Sequence, residues 1–213
     1  MTKIKAVVFD VGDVLYGWDI GALYAKLIAD PVRRDWFLRT VVTPDWHFQH
    51  DRGRPSAETI PELQAQYPAE AELIGVYADR WLETITGPVP GMHALVAELA
   101  DAGVPLFGIT NFAAEFWDRF RPTAPIFDLF GDIVVSGAEQ MFKPEPAIYR
   151  LALQRFGLVP GEGLFVDDRI ENVRGGAAEG FPGHHFSGAA RLRERLVAEG
   201  LLDHPGRRGV QAA

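Results

Sequence analysis

The sequence predicts an α/β fold: a Rossmann-like doubly wound parallel sheet core with an inserted helical cap subdomain. Three observations predict it. Short apolar runs alternate with amphipathic stretches from residue 91 onward. The runs are bounded by Gly, Pro or polar residues, as are strands buried on both faces of a parallel sheet. Between the first run and the others lies a block, 17–87, that is helical and aromatic with no convincing strand.

The elements follow in chain order. The first strand is expected over 4–11 (IKAVVFDV), ending at Asp10 and a glycine-containing turn. Cap helices are expected near 20–29, 32–42, 56–66 and 70–85. The block 17–87 holds four of the five tryptophans, Trp18, Trp36, Trp46 and Trp81. It lies where it can cover the crevice beyond the first strand. GPVPG (87–91) reads as the hinge that returns the chain to the sheet. A helix over 91–102 carries Met92, Leu95, Val96 and Leu99 as an apolar stripe, and Gly103 sits where a helix C-cap belongs. Strands over 104–110, 132–136, 163–167 and 183–187 then alternate with helices over 113–120, 145–156, 170–179 and 188–200. Such alternation predicts right-handed crossovers in a doubly wound sheet. The core is expected to comprise 1–16 and 88–213, and the cap 17–87. The segment after Asp203, HPGRRGVQAA, reads as a frayed tail.

Composition narrows the function. Of 213 residues, 47% are hydrophobic, enough for a proper core. Twenty-one Lys and Arg against 29 Asp and Glu give a net charge of −8. That balance argues against nucleic acid and anionic membrane as partners. An acidic protein that handles phosphate must do so locally, with a cation, a lysine and helix amino ends. The absence of cysteine excludes disulfides, thiolate catalysis and cysteine-ligated zinc. No apolar run approaches the ~20 residues of a membrane span, and no signal peptide is visible. The expectation is a cytoplasmic enzyme, monomeric or homodimeric, acting on a small molecule.

Four polar signals stand at strand ends or helix starts. Asp10 ends an apolar strand and is placed to attack phosphorus or carbon or to bind a metal; a helix N-cap is the competing reading. Thr110 and Asn111 in GITN offer an anion seat at a helix start, although both are also ordinary capping residues. Lys143 in FKPEPAIY stands before a helix, where it can pair with a phosphate and a carboxylate. Taken singly, a lysine is more often a solvated surface residue. Asp167 and Asp168 are adjacent carboxylates that repel unless a cation or hydrogen bonds compensate, and hard oxygen ligands in a phosphate context favour Mg²⁺. Asn172, one helical turn on, is placed to orient a metal water or the lysine. Together these are the parts of phosphoryl transfer through an aspartyl phosphate.

FDVGDVL, GITN, FKPEPAIY and FVDDRIENV resemble the four motifs of the haloacid dehalogenase superfamily, in order, from residue 8 to residue 173. The resemblance implies a helical cap and a Mg²⁺-dependent hydrolase of a small phosphorylated metabolite. It implies Asp10 as nucleophile and metal ligand, and Gly12 as a carbonyl ligand. Thr110 and the Asn111 amide would hold the transferring group. Lys143 would neutralise nucleophile and phosphate. Asp168 would bind Mg²⁺, with Asp167 a direct or outer partner.

One position departs from the pattern. Most phosphatases of the superfamily carry an acid/base aspartate two residues after the nucleophile; here that residue is Gly12. Asp13 is one residue late, and strand alternation predicts that it points away from Asp10. Losing a general acid typically costs ~10²–10⁴ in rate, which favours good leaving groups such as sugar 1-phosphates. DVGDVL and WHFQHDRGRPS (46–56) also resemble the branch containing α-D-glucose-1-phosphate phosphatases. A 2-haloacid dehalogenase is the alternative, since that chemistry also lacks the second aspartate. It needs no metal, however, and both Asp167 and Asp168 are present. A weakly active binding or regulatory module is the third reading, supported by Gly12 alone. Among other residues, His47 and His50 share a helical face and read as packing or substrate contacts. His184 and His185 fall on opposite faces of the last strand and read as core or edge residues. Tyr16 and Trp18 are placed either to line the site mouth or to pack cap on core. Arg33 and Arg34 read as a solvated face.

Overall fold

The computed structural model describes residues 2–203, so the segment 204–213, read as a frayed tail, lies outside the described residues. Its strands are β1 (Ala6–Phe9), β2 (Tyr16–Trp18), β3 (Ile85–Pro88), β4 (Leu106–Thr110), β5 (Asp132–Val135), β6 (Gly163–Asp167) and β7 (Gly183–His185). Five of them form one sheet in the order β5-β4-β1-β6-β7, and every pairing in it is parallel. The first strand is therefore central, flanked by β4 and β6. That is the point where strand order reverses, and in open α/β sheets ligands bind beyond the carboxyl ends of such strands.

Period-two alternation builds a core on each face of the sheet. Val7 and Phe9 of β1 join one apolar cluster, while Ala6 and Val8 join the other. The remaining sheet layers follow from the helices α6 (Met92–Asp101), α7 (Ala114–Phe120), α8 (Ser136–Glu139), α9 (Pro146–Phe156), α10 (Ile170–Ala178) and α11 (Ala189–Ala198). The stripe Met92, Leu95, Val96 and Leu99 is buried in the first cluster, while Ile148, Tyr149 and Ala152 of α9 cover the opposite face.

Between β2 and β3 lie the cap helices αA (Ile20–Tyr24), αB (Pro31–Thr40), αC (Pro44–Asp51), αD (Ser56–Gln66) and αE (Ala71–Arg80). One feature differs from the sequence expectation. The block 17–87 is expected to lack strands, yet β2 and β3 pair antiparallel, Gly17 opposite Gly87, as a two-stranded ribbon through which the chain enters and leaves the cap. Three- and four-residue strands are too short to show alternation. The helical face expected for His47 and His50 belongs to αC, which begins at Pro44 with Thr43 as its N-cap, its side chain accepting from Trp46 N at 3.1 Å. Trp46 and Trp81 are buried, but Trp36 is 44% exposed, so packing between cap helices accounts for only part of the tryptophan content.

Polar clasps seat the cap on the core. Ser136 Oγ donates to Asp51 O at 2.6 Å and accepts from Phe112 N at 2.9 Å. Glu115 accepts from both Ser56 N (2.8 Å) and Ser56 Oγ (2.9 Å). Trp81 stacks on Phe116 with centroids 4.7 Å apart, a contact of the kind worth ~0.5–1.5 kcal/mol beyond burial.

Gly137 lies at the centre of this seam. A Cβ there would stand 2.7 Å from Ala114 N and 2.8 Å from Phe112 O, both main-chain atoms. Gly137→Ala is expected to lower stability by ~1–3 kcal/mol, as overpacking does, read as a lower urea midpoint. An unchanged midpoint would show that the seam yields freely.

Candidate active site

The strand order brings the motif residues together. Asp10 follows β1, Thr110 ends β4 and Asp167 ends β6, all at the carboxyl edge of three adjacent strands. Lys143 reaches the same point from the loop between α8 and α9. Its ammonium lies 2.9 Å from Asp10 Oδ1 and 2.7 Å from Asp167 Oδ2, and donates to Ile109 O at 2.9 Å. An ammonium has three donors, so all are engaged. Lys143 is buried, and burial alone would lower its pKa, but Asp10 and Asp167 hold it above the usual lysine value.

Each partner is itself oriented. Asp10 Oδ1 also accepts from Val11 N at 2.7 Å, which leaves Oδ2 without a hydrogen bond among the described residues. Asp167 accepts from Arg169 N (2.8 Å) and, on both oxygens, from Asn172 Nδ2 (3.1 Å). Asn172 thus orients the carboxylate that holds the lysine. Asn111 clamps the lysine main chain: its Oδ1 accepts from Lys143 N at 2.8 Å and its Nδ2 donates to Lys143 O at 3.1 Å. The Asn111 side-chain amide is therefore committed within the protein. Thr110 Oγ1 is buried with no hydrogen-bond partner among the described residues, and such an orphan calls for a bound oxygen.

Asp10, Asp167 and Asp168 can each place one oxygen within 4.8 Å of the others. Three carboxylates share one ammonium there. Burial raises the Asp10 carboxyl against the pull of Lys143, and burial, Asp167 and Asp13 raise Asp168. This donor set, all oxygen and in surplus negative charge, suits a hard divalent cation. His185, read as an edge residue, has Nε2 2.8 Å from Asp168 O and so supports the loop that carries it.

Asp13 corrects the alternation argument. Residues 13–15 form a turn rather than strand, and Asp13 has φ 54°. It lines the same cavity as Asp10, and its Oδ1 accepts from Trp18 N at 3.2 Å. The period of two ends where the strand ends, at Phe9.

The cavity, about 160 Å³, is floored by the core and roofed by the cap. Tyr16, Trp18 and His47, considered above as mouth or packing residues, all line it. So does Asp51, the last residue of αC, which the sequence reading did not single out. His47 Nδ1 is 2.6 Å from Tyr77 Oη, and its Nε2 is 3.5 Å from Asp51 Oδ1. Arg33, read as part of a solvated face, pairs with Glu70 at 3.0 Å.

The fold and the sequence profile define a hydrolase. The sequence profile of the haloacid dehalogenase-like hydrolases matches residues 4–180, and the chain belongs to that family. It is 29% identical over 189 residues to the sesquiterpene phosphatase astK of Aspergillus oryzae, covering 87% of this chain and 91% of that one. A haloacid dehalogenase-family enzyme from Bacteroides thetaiotaomicron, solved with magnesium and inorganic phosphate, superposes with a TM-score of 0.67 at 20% identity, over 87% of this chain and 96% of that one. L-2-haloacid dehalogenase from Xanthobacter autotrophicus, solved with chloropropionic acid covalently bound, gives 0.64 at 22% identity, over 93% and 84%.

Two predictions follow from the buried charges. Lys143→Met leaves Asp10 and Asp167 unpaired, and is expected to cost ~3–5 kcal/mol of stability in metal-free protein. Urea melts with and without Mg²⁺ test it; an unaltered metal-free midpoint refutes it.

The second concerns His47 and Asp51. Burial, then His50, pushes His47 down from 6.5 to about 3, while burial pushes Asp51 up from 3.8 to about 7 against the Ala113 N–H and Lys143. Near pH 5 the unfolded chain carries one proton on His47, and the folded chain carries one on Asp51. The two slopes therefore offset each other. Other buried groups, Asp10 among them, add slopes of their own, so each variant is read against wild type. Relative to wild type, Asp51→Asn loses stability as pH falls from about 7 toward 3.8, because the Asp51 slope is gone. Relative to wild type, His47→Phe loses stability as pH rises from about 3 toward 6.5, because the His47 slope is gone. Denaturation midpoints across pH 3–8 distinguish the two directions; matching slopes would refute the assignment.

Proposed function

We propose that this protein is a Mg²⁺-dependent phosphomonoester hydrolase working through an aspartyl phosphate on Asp10. The observation that carries this reading is the carboxylate surplus around Lys143, beside the orphan hydroxyl of Thr110. Asp10 and Asp168, with Asp167 and the Gly12 carbonyl, are the groups that would hold Mg²⁺. When bound, the ion supplies charge stabilisation to the transferring phosphoryl group.

The residues divide the remaining work. Lys143 fixes Oδ1 of Asp10, so that Oδ2 is the oxygen presented to phosphorus. Thr110 Oγ1 donates to a phosphoryl oxygen, and the main chain at Asn111 stands beside it. Asp10 displaces the organic oxygen, and water then cleaves the aspartyl phosphate. A haloacid dehalogenase shares the fold but would leave the surplus charge of Asp167 and Asp168 unbalanced. A binding module would have no use for a nucleophile so fixed.

The cavity also bears on the organic group. Trp18, Phe48, Trp81, Ile85, Phe112 and Phe142 give it a largely apolar wall. The sequence expectation of a sugar 1-phosphate rests on Gly12 and the resemblance of 10–15 and 46–56. The polar side-chain atoms of this wall are the indole N–H groups of Trp18 and Trp81, donors only, so sugar hydroxyls find few acceptors on it, and an unsatisfied hydroxyl is penalised on burial. A compact, apolar alcohol or aryl group fits better. The phosphatase name of the Aspergillus oryzae relative supports both the reaction and an apolar organic group.

Phosphate release is expected from small apolar monoesters with Mg²⁺, and is expected to be lost with chelator and in Asp10→Asn. Hydrolysis that survives chelation, or chloride release from 2-chloropropionate without metal, would overturn the reading. Faster turnover of glucose 1-phosphate than of an alkyl phosphate would overturn the apolar assignment.

A further inference from the structure

Gly12 leaves the reaction without its usual proton donor, and the neighbouring Asp13 does not supply one. Asp13 is held in its turn with Oδ1 on Trp18 N. The described cavity contains one other carboxylic acid away from the metal cluster, Asp51. Its position is unlike that of the core acids. Asp10 enters the cavity from the sheet edge, whereas Asp51 enters from αC in the cap. An in-line displacement expels the leaving oxygen on the side of phosphorus away from the attacking oxygen. With Asp10 on the floor, that side faces the cap.

Asp51 is also built for the role. It is 4% exposed, and its main-chain carbonyl is pinned by Ser136 Oγ at 2.6 Å. Its carboxyl accepts from Ala113 N and lies 3.5 Å from His47 Nε2. His47 is in turn held by Tyr77 Oη at 2.6 Å. The groups facing Asp51 are therefore His47, Tyr77 and, at longer range, Lys143. None is an anionic carboxylate, and burial favours the protonated acid near neutral pH.

We propose that Asp51, presented by the cap, is the general acid and then the general base that replaces the residue missing at Gly12. This assignment rests on the phosphatase reading above. In the first step the Asp10 Oδ2–P bond forms and the P–O bond to the organic group breaks. The Asp51 proton passes to the departing oxygen, which leaves as the alcohol. In the second step a water oxygen bonds to phosphorus and the Oδ2–P bond breaks. The proton lost by that water returns to Asp51, so acid, nucleophile and charge are restored.

The competing role for Asp51 is purely structural, as the carboxyl that receives Ala113 N–H at the start of α7. The two roles separate by leaving group. A general acid matters most when the departing oxygen is basic and little when it is already a stable anion. Mg²⁺-loaded wild type and Asp51→Asn are compared on n-butyl, phenyl and 4-nitrophenyl phosphate through kcat/KM. Asp51→Asn keeps the size and an acceptor for Ala113. The expected result is a loss of ~10²–10⁴ on n-butyl phosphate and less than ~10 on 4-nitrophenyl phosphate. The ratio is internal to one preparation, so it does not depend on the folded fraction. Equal loss on all three esters overturns the acid and leaves the phosphatase standing. Should Asp51→Asn not fold, wild type alone decides: a shallow dependence on leaving-group basicity supports an acid, and a steep one overturns it. Wild type inert toward every ester with Mg²⁺ overturns the phosphatase reading and this role with it.

Discussion

The ammonium of Lys143 is the group on which the site depends. It is a full charge buried at the edge of a sheet, a placement that stands only with compensation. The compensation comes from three directions: the carboxylates after β1 and at the end of β6, and a carbonyl of β4. One side chain therefore ties the ends of three adjacent strands. Asn111 and Asn172 complete the fixture, one holding the lysine main chain and the other its carboxylate partner. Charge balance and geometry are consequently the same problem here. A shift of any strand end would both misplace a carboxylate and expose a buried charge.

The surrounding structure separates the two halves of the chemistry. Asp10, Lys143 and the acidic cluster belong to the sheet edge, where parallel strands make positions rigid. The apolar wall and Asp51 belong largely to the cap, whose seat depends on hydrogen bonds and ring contacts across a seam. His47 sits between those roles. Its ring lies against Trp18 with centroids 4.6 Å apart and its edge is shared by Tyr77 and Asp51. A neutral His47 beside a protonated Asp51 places no net charge in this apolar lining.

Much of this was legible in the sequence because it is local. A strand ending in Asp10, or Asp167 and Asp168 after GLFV, carries its own context within a few residues. The strand order then assembles such signals without further information. The misses share a cause as well. Asp51 lies one helical turn after His47 in WHFQHDRGRPS, but nothing there says that its carboxyl meets Ala113. That meeting is produced by αC settling on the core through Ser136. The β2–β3 ribbon was invisible because three or four residues cannot display a period. Asp13 was placed wrongly because alternation was carried past the end of β1 into a turn with positive φ. The Asn111 side chain holds the main chain of Lys143, a pairing made by the loop after α8 and not by GITN itself.

The paired strands β2 and β3 have one more implication. The chain passes into the cap and back out of it at two points that face each other, Gly17 opposite Gly87. Everything between them, walls and acid alike, is covalently joined to the core at adjacent crossings. For evolution or for an engineer this is a socket. Under the proposed function, a different cap spliced at those two glycines would exchange the organic group recognised, and the proposed proton donor with it, while the sheet edge that carries Lys143 kept its sequence. Substrate range and acid strength would then be inherited together as one interchangeable part.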